Sequence, residues 1–227
     1  MLLFLNSNQS CDIIQVLSMF RKVLIAALVL IAAFGILLIS VFRTASVKYQ
    51  FSDTGKQVNA RVLGETTEVI DYNLPYPGKV LPDSPLWSVK ALRDRVWLWV
   101  TTNPTRKAEL KLLFADKRLG SSKILFEKGK FEEGLTTLTK AEKYLEEVGW
   151  QEEENRKMGI ETSGFLEILA RASLKHYEVM QNILTIAPEA ARPTIIQTQG
   201  YSKRVFENSR NALLEKGKSA PENPFAW

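Results

Sequence analysis

The sequence predicts an all-α protein with an N-terminal transmembrane helix, an extended tether and an antiparallel bundle of about five helices. Three observations carry this prediction. The stretch from Val23 to Phe42 holds no charged residue. Five later stretches repeat apolar residues at three- and four-residue spacing, punctuated by proline and glycine. Alternation of the kind a strand needs is confined to short pieces such as Val58 to Leu63 and Glu68 to Tyr72. The organisation that follows is a leader over 1–22, a membrane helix over 23–42, a tether over 43–80, a helical domain over 81–216 and a flexible tail over 217–227.

The membrane helix rests on length and composition. Val23 to Phe42 is rich in Leu, Ile, Val and Ala, with Gly35 and Ser40 as mild interruptions. At 1.5 Å per residue, about twenty helical residues cross roughly 30 Å of hydrocarbon. A cleavable signal peptide has a shorter apolar core, about 7 to 15 residues, before a small-residue cleavage site, whereas Phe42 and Arg43 stand where that site would fall. The segment therefore reads as an uncleaved anchor whose partner is the lipid bilayer.

Charge bears on its orientation. Arg21 and Lys22 precede the span, and Arg43, Lys48, Lys56 and Arg61 follow it. A bare count places the C-terminal side in the cytoplasm, but signal anchors near the N-terminus hold a short basic leader inside. Met19-Phe20-Arg21-Lys22 has that form and offers a second start of translation. The expectation is a single-pass cell-membrane protein with an extracytoplasmic C-terminal domain.

From Thr44 to Val80 the chain lacks helical periodicity and carries Gly55, Gly64, Gly78, Pro75 and Pro77, the composition of a tether. Leu74 to Gly78 should be extended, since residues before proline are pushed out of the helical region. Asp83-Ser84-Pro85 then signals a helix start, a capping oxygen followed by proline, and that helix runs to about Val100. Asn103-Pro104 repeats the signal for a second helix ending near Lys128, with Ala108, Leu112, Ala115, Leu119 and Phe126 as its stripe and Gly129 as its stop. Phe131, Leu135, Leu138, Ala141, Leu145 and Val148 mark a third, closed by Gly149. Gln151 to Gly159 reads as exposed helix or loop. The clearest helix follows, with Phe165, Leu169, Ala172, His176, Val179, Ile183 and Ile186 at strict spacing before Pro188. Pro193 opens a fifth helix towards Lys216. Short connections imply antiparallel neighbours.

Several segments resemble a known family: LPDSPLW from Leu81, LRDR from Leu92, KAEL from Lys107, ADKRL from Ala115 and EKGK from Glu127. Together, over roughly Leu74 to Leu184, they resemble an uncharacterised family of membrane-anchored helical domains of bacteria and archaea, known only as a domain of unknown function. The resemblance implies an extracytoplasmic helical domain and no catalytic residue. Gly120 and Gly134 depart from the pattern, standing where alanine is expected. A likeness of Gly129 to Gly134, with Leu138 and Ala141, to a tetratricopeptide repeat fails at Arg118 and Glu146, and no second copy lies about 34 residues away.

Chemistry is narrowed mainly by exclusion. Of 227 residues, 30 are basic and 25 acidic, a net charge of +5 spread along the chain without the basic and aromatic clustering of a nucleic-acid binder. The single cysteine, Cys11, precedes the span, and the single histidine, His176, follows it, which excludes an intramolecular disulfide, a His/Cys zinc site and a Cys-His couple. Phosphate-binding loops, dinucleotide turns and nucleophile elbows are missing from the sequence. The sequence therefore assigns no catalytic, cofactor-binding or metal-ligating residue and points away from an enzyme. Glu152-Glu153-Glu154 reads as a solvated acidic face, because consecutive helical residues point about 100° apart. His176 reads as a neutral core imidazole with one hydrogen-bond partner.

One candidate surface remains, at Trp97 and Trp99 with Arg93 and Arg95, residue types favoured both in binding hot spots and at membrane interfaces. On one helix the two rings point about 200° apart, so both cannot enter one core. If Val89, Leu92, Val96 and Val100 form the buried face, Trp97 sits at its edge and Trp99 is exposed or covered by a later helix. The expected function is a cell-envelope scaffold or adaptor for an unidentified protein partner. The alternative is an envelope sensor or regulator signalling through the span.

Overall fold

The computed structural model describes residues 19, 21–33, 35, 36, 70–225 and 227, and the chain divides into two compact units, Met1–Ala60 and Arg61–Trp227. In the first unit, residues 21–33 and 35–36 are helical. Their apolar side chains are solvent-facing, with Leu28, Val29, Leu30 and Ile31 each 60 to 72% exposed. No helix among the described residues is long and apolar enough to cross a membrane. Residues 34 and 37–42 of the expected span, and 43–69 of the expected tether, lie outside the described residues.

The second unit is all-α among its described residues. It comprises α1 (Trp87–Val100), α2 (Pro104–Glu127), α3 (Phe131–Lys157), α4 (Ser163–Ile186), a short 3-10 turn (Glu189–Ala191) and α5 (Arg192–Glu215). Sequence punctuation accounts for most ends. Asn103 accepts a hydrogen bond from the Arg106 backbone N–H at 3.0 Å, with Pro104 in the first turn of α2. Gly129 and Gly159, at φ of 74° and 78°, close α2 and α3 in the left-handed conformation. There the next amide reaches back to an orphan carbonyl, Lys130 N to Leu125 O at 2.9 Å and Ile160 N to Asn155 O at 3.1 Å.

Two elements depart from expectation. Helix α1 begins at Trp87, later than Asp83-Ser84-Pro85 suggests, because Ser84 Oγ accepts from the Leu86 N–H at 3.3 Å in a preceding turn. Helix α3 continues through Gly149 to Lys157. The Glu-rich stretch is helical as far as Lys157, and its Glu152 and Asn155 are buried, so only part of it is a solvated face.

Helices α2, α3, α4 and α5 pack around a core that includes Leu119, Phe126, Leu138, Ala141, Met180, Ile183 and Ile195. Residues 70–80, the end of the stretch read as a tether, have no helix or strand and belong to this packed unit, with Ile70, Tyr72 and Pro77 buried. Within the stretch read as a flexible tail, the rings of Phe225 and Trp227 lie 4.7 and 5.2 Å from that of Tyr177 on α4.

Candidate functional site

Helix α1 presents its apolar side outward. Its inner side carries Lys90, Asp94 and Trp97. Lys90 Nζ donates to the carbonyls of Pro77 and Val80 at 2.8 and 3.0 Å, tying residues 77–80 to the helix. Asp94 is buried and accepts from Arg93 at 2.8 Å, and Trp97 is buried with its ring edge-on to Phe114, 5.9 Å between centroids. Leu86, Val89, Leu92 and Val100 are 50 to 61% exposed, and Trp99 is 83% exposed.

The sequence expectation for this helix thus needs correction. Val89, Leu92 and Val100 are not its buried face; Trp97 is fully in the interior, and Trp99 is the exposed ring. The physical reason is that residues 70–80 and α2 offer α1 carbonyls and an aromatic edge, which Lys90 and Trp97 satisfy. Of the four candidate residues, the structure leaves Trp99 and Arg95 in solvent, commits Arg93 to Asp94 and buries Trp97. The outward apolar residues expose on the order of 500 Å² together, within the size range of the largest, often functional, patches on monomers.

A second constellation lies inside the bundle. His176 on α4 is fully buried, with Nδ1 2.6 Å from Glu142 Oε1 on α3 and Nε2 2.9 Å from Asp116 Oδ1 on α2. The Tyr72 hydroxyl, from the stretch before α1, donates to Asp116 Oδ2 at 2.6 Å. Both carboxylates are also fully buried. Burial pushes the His176 pKa down, but the Glu142 charge, the Asp116 charge and the hydrogen bonds the ring donates to both carboxylates outweigh it and raise the pKa to about 9. His176 is therefore an imidazolium at neutral pH, donating from both ring nitrogens, rather than the neutral imidazole expected from sequence. Burial first, then the Asp116 charge and hydrogen bond, holds the Tyr72 pKa well above 10, so its hydroxyl stays a donor. Glu142 Oε2 has no hydrogen-bond partner among the described residues.

What the network can do is set by its geometry. The two carboxylates approach opposite edges of the ring, so the three side chains do not converge on one ion, and no group of three or more candidate ligands among the described residues could hold a metal. The network joins α2, α3, α4 and the stretch carrying Tyr72 at a single point of the core. A signal for it existed in the sequence: Asp116 stands four residues after Leu112 and three before Leu119, and Glu142 four after Leu138 and three before Leu145. Both carboxylates occupy stripe positions.

The motif segments noted in the sequence are brought together in the fold. Asp83 of LPDSPLW pairs with Lys130 of EKGK at 2.7 Å, Asp94 of LRDR is buried, and Asp116 of ADKRL joins the His176 network. No curated protein and no solved structure matches the chain. Residues 79–190 match the family model described as a domain of unknown function, DUF5667, and that segment, from just before α1 to the 3-10 turn, belongs to the family.

Proposed function

We propose that this chain, with its DUF5667 segment, is a single-span membrane protein whose helical domain serves as a scaffold or adaptor, docking a protein partner on the outward face of α1. One observation carries the reading: Val89, Leu92, Trp99 and Val100 are all exposed on a helix whose polar Lys90 and Asp94 face inward. Orienting a helix this way forgoes burial of about 25 cal/mol per Å² of apolar surface, a loss that a docked partner recovers. Trp99 with Arg95 beside it has the composition of a binding anchor.

The anchor is proposed from Val23 to Phe42, uncharged over about the length that spans hydrocarbon, and the outward apolar side chains of its described helical part are in keeping with a lipid environment. Placement of the domain outside the cytoplasm follows from the short basic leader. The reading needs no catalytic residue, cofactor or nucleic acid.

The test is site-specific photo-cross-linking in intact cells, with the photoreactive residue at position 99 or, as a control, at the exposed Glu154. A discrete protein adduct from position 99 alone, absent when Leu92 is also changed to Asp, is expected. No adduct from position 99, or equal adducts from both positions, would refute the docking face.

A further inference from the structure

A cleft of about 480 Å³ lies between α3 and α5. Its floor is low because Gly149 has no side chain to meet Val205, and because Ser209 and Ala212 are small; a Cβ at 149 would already touch Val205 at 3.6 Å. Its wall includes Trp150, 57% exposed. At one end Arg204 donates to Glu146 at 2.9 Å. At the other, Arg156 stands between two carboxylates at longer range, 3.5 Å from Glu152 and 3.6 Å from Glu215. The ends are about 15 Å apart along α3, ten residues at 1.5 Å each. The exposed amides of Asn208 and Asn211 lie between them.

Charge decides what such a cleft takes. Each of its carboxylates already faces a cation, Glu146 facing Arg204, Glu152 and Glu215 facing Arg156, and Glu153 paired with Lys157 at 2.7 Å. An anion or an amine would have to break one of these pairs. A neutral polyol would not, since each hydroxyl both donates and accepts and matches a wall where guanidinium, carboxamide and carboxylate alternate. An exposed indole face supplies the apolar side that a sugar ring's C–H face needs, and amphipathic aromatics suit sites that are apolar on one side and wet on the other.

We propose that this cleft is a binding site for a neutral saccharide of one or two rings, stacked on Trp150 and hydrogen-bonded by Arg156, Asn208 and Asn211. A volume of 480 Å³ falls within the range of small-molecule pockets, about 300 to 1,000 Å³. The site is separate from the α1 face, so its failure and the failure of the adaptor reading are distinguishable.

The test uses the full chain in lipid nanodiscs, with 5-fluorotryptophan at all five tryptophans and the Trp150 resonance assigned from Trp150→Phe. Neutral disaccharides of gluco, galacto, manno and N-acetylgluco configuration are titrated, alongside spermidine and inorganic phosphate as charged probes. Expected is a saturable shift of the Trp150 resonance alone, with a disaccharide Kd in the millimolar range. Asn211→Ala should weaken it at least tenfold, with the buried Trp97 resonance unchanged as the fold control. No saturable shift with any of the disaccharides overturns the proposal. So does a Trp150 response to spermidine or phosphate only, or an Asn211→Ala variant that binds as the parent does.

Discussion

Raising the pH from 6.5 to 9 should remove about 3 kcal/mol from the stability of the helical unit. His176 has an ordinary pKa of 6.5 in the unfolded chain and about 9 between Glu142 and Asp116 in the folded one. The folded pKa is the higher, so the contribution is fully present below about pH 6.5, shrinks as pH rises and is gone above about 9. Two and a half pH units at 1.36 kcal/mol each give the order of 3 kcal/mol. The window is unusually clean, because the chain has one histidine and one cysteine, and Cys11 lies outside the second unit. Tyr72, whose pKa burial raises well above 10, acts above it, and burial lowers that of Lys90 from 10.5. The assay is urea unfolding of residues 61–227 followed by circular dichroism at half-unit pH steps. His176→Gln should abolish the slope whatever it does to stability. Constant or rising stability between pH 6.5 and 9 would refute an imidazolium held by two carboxylates.

Three further predictions follow from local packing. Tyr72→Phe removes the donor to Asp116 and leaves a buried acceptor unsatisfied, so it should cost about 1 to 3 kcal/mol and speed proteolysis within residues 70–77; unchanged stability and cleavage would show that the hydroxyl contributes nothing. Gly134→Ala should destabilise by roughly 1 to 3 kcal/mol despite better helix propensity, because the new Cβ would meet Phe126 at 2.8 Å, whereas Gly120→Ala meets Pro77 only at 3.5 Å and should be neutral or stabilising by up to about 1 kcal/mol; thermal melts of the two variants decide it. Trp97→Ala should cost about 3 to 5 kcal/mol, while Trp99→Ala should change stability by less than about 0.5 kcal/mol yet weaken cross-linking from a photoreactive residue placed at the neighbouring position 95 of α1; equal melting shifts would contradict the assignment of inner and outer faces.

Helix number and most helix ends were legible because proline and glycine act locally: Asn103-Pro104, Gly129 and Pro188 each do what their own backbone chemistry requires. Gly149 misled for the complementary reason. A helical glycine costs only about 1 kcal/mol, and the packing of α3 against α2 and α5, with Val205 close over Gly149 itself, outweighs it. That only one of Trp97 and Trp99 can be buried followed from helical geometry, but which side of α1 faces in did not. Periodicity puts apolar residues inward, and it cannot see that residues 77–80 arrive with carbonyls needing a donor, which Lys90 supplies. His176 was legible as a core position. Its partners were not, since a carboxylate on a helix reads as solvent-facing until a cation 34 or 60 residues away in the chain is known to sit against it.

The buried network also constrains how the sequence can drift. Removing one member of a buried charged set strands the others, at a cost of about 3 to 5 kcal/mol, whereas replacing the whole set by apolar residues of similar volume is often neutral or favourable. Asp116, Glu142 and His176 are therefore expected to be kept together or lost together among related chains. Tyr72, which contributes a hydroxyl and no charge, is freer to become phenylalanine. The same closure acts as a registration mark. A slip of α2, α3 or α4 by one residue turns its member of the set about 100° away, so a misaligned bundle is left with unpaired charge in its interior and cannot compete with the native one.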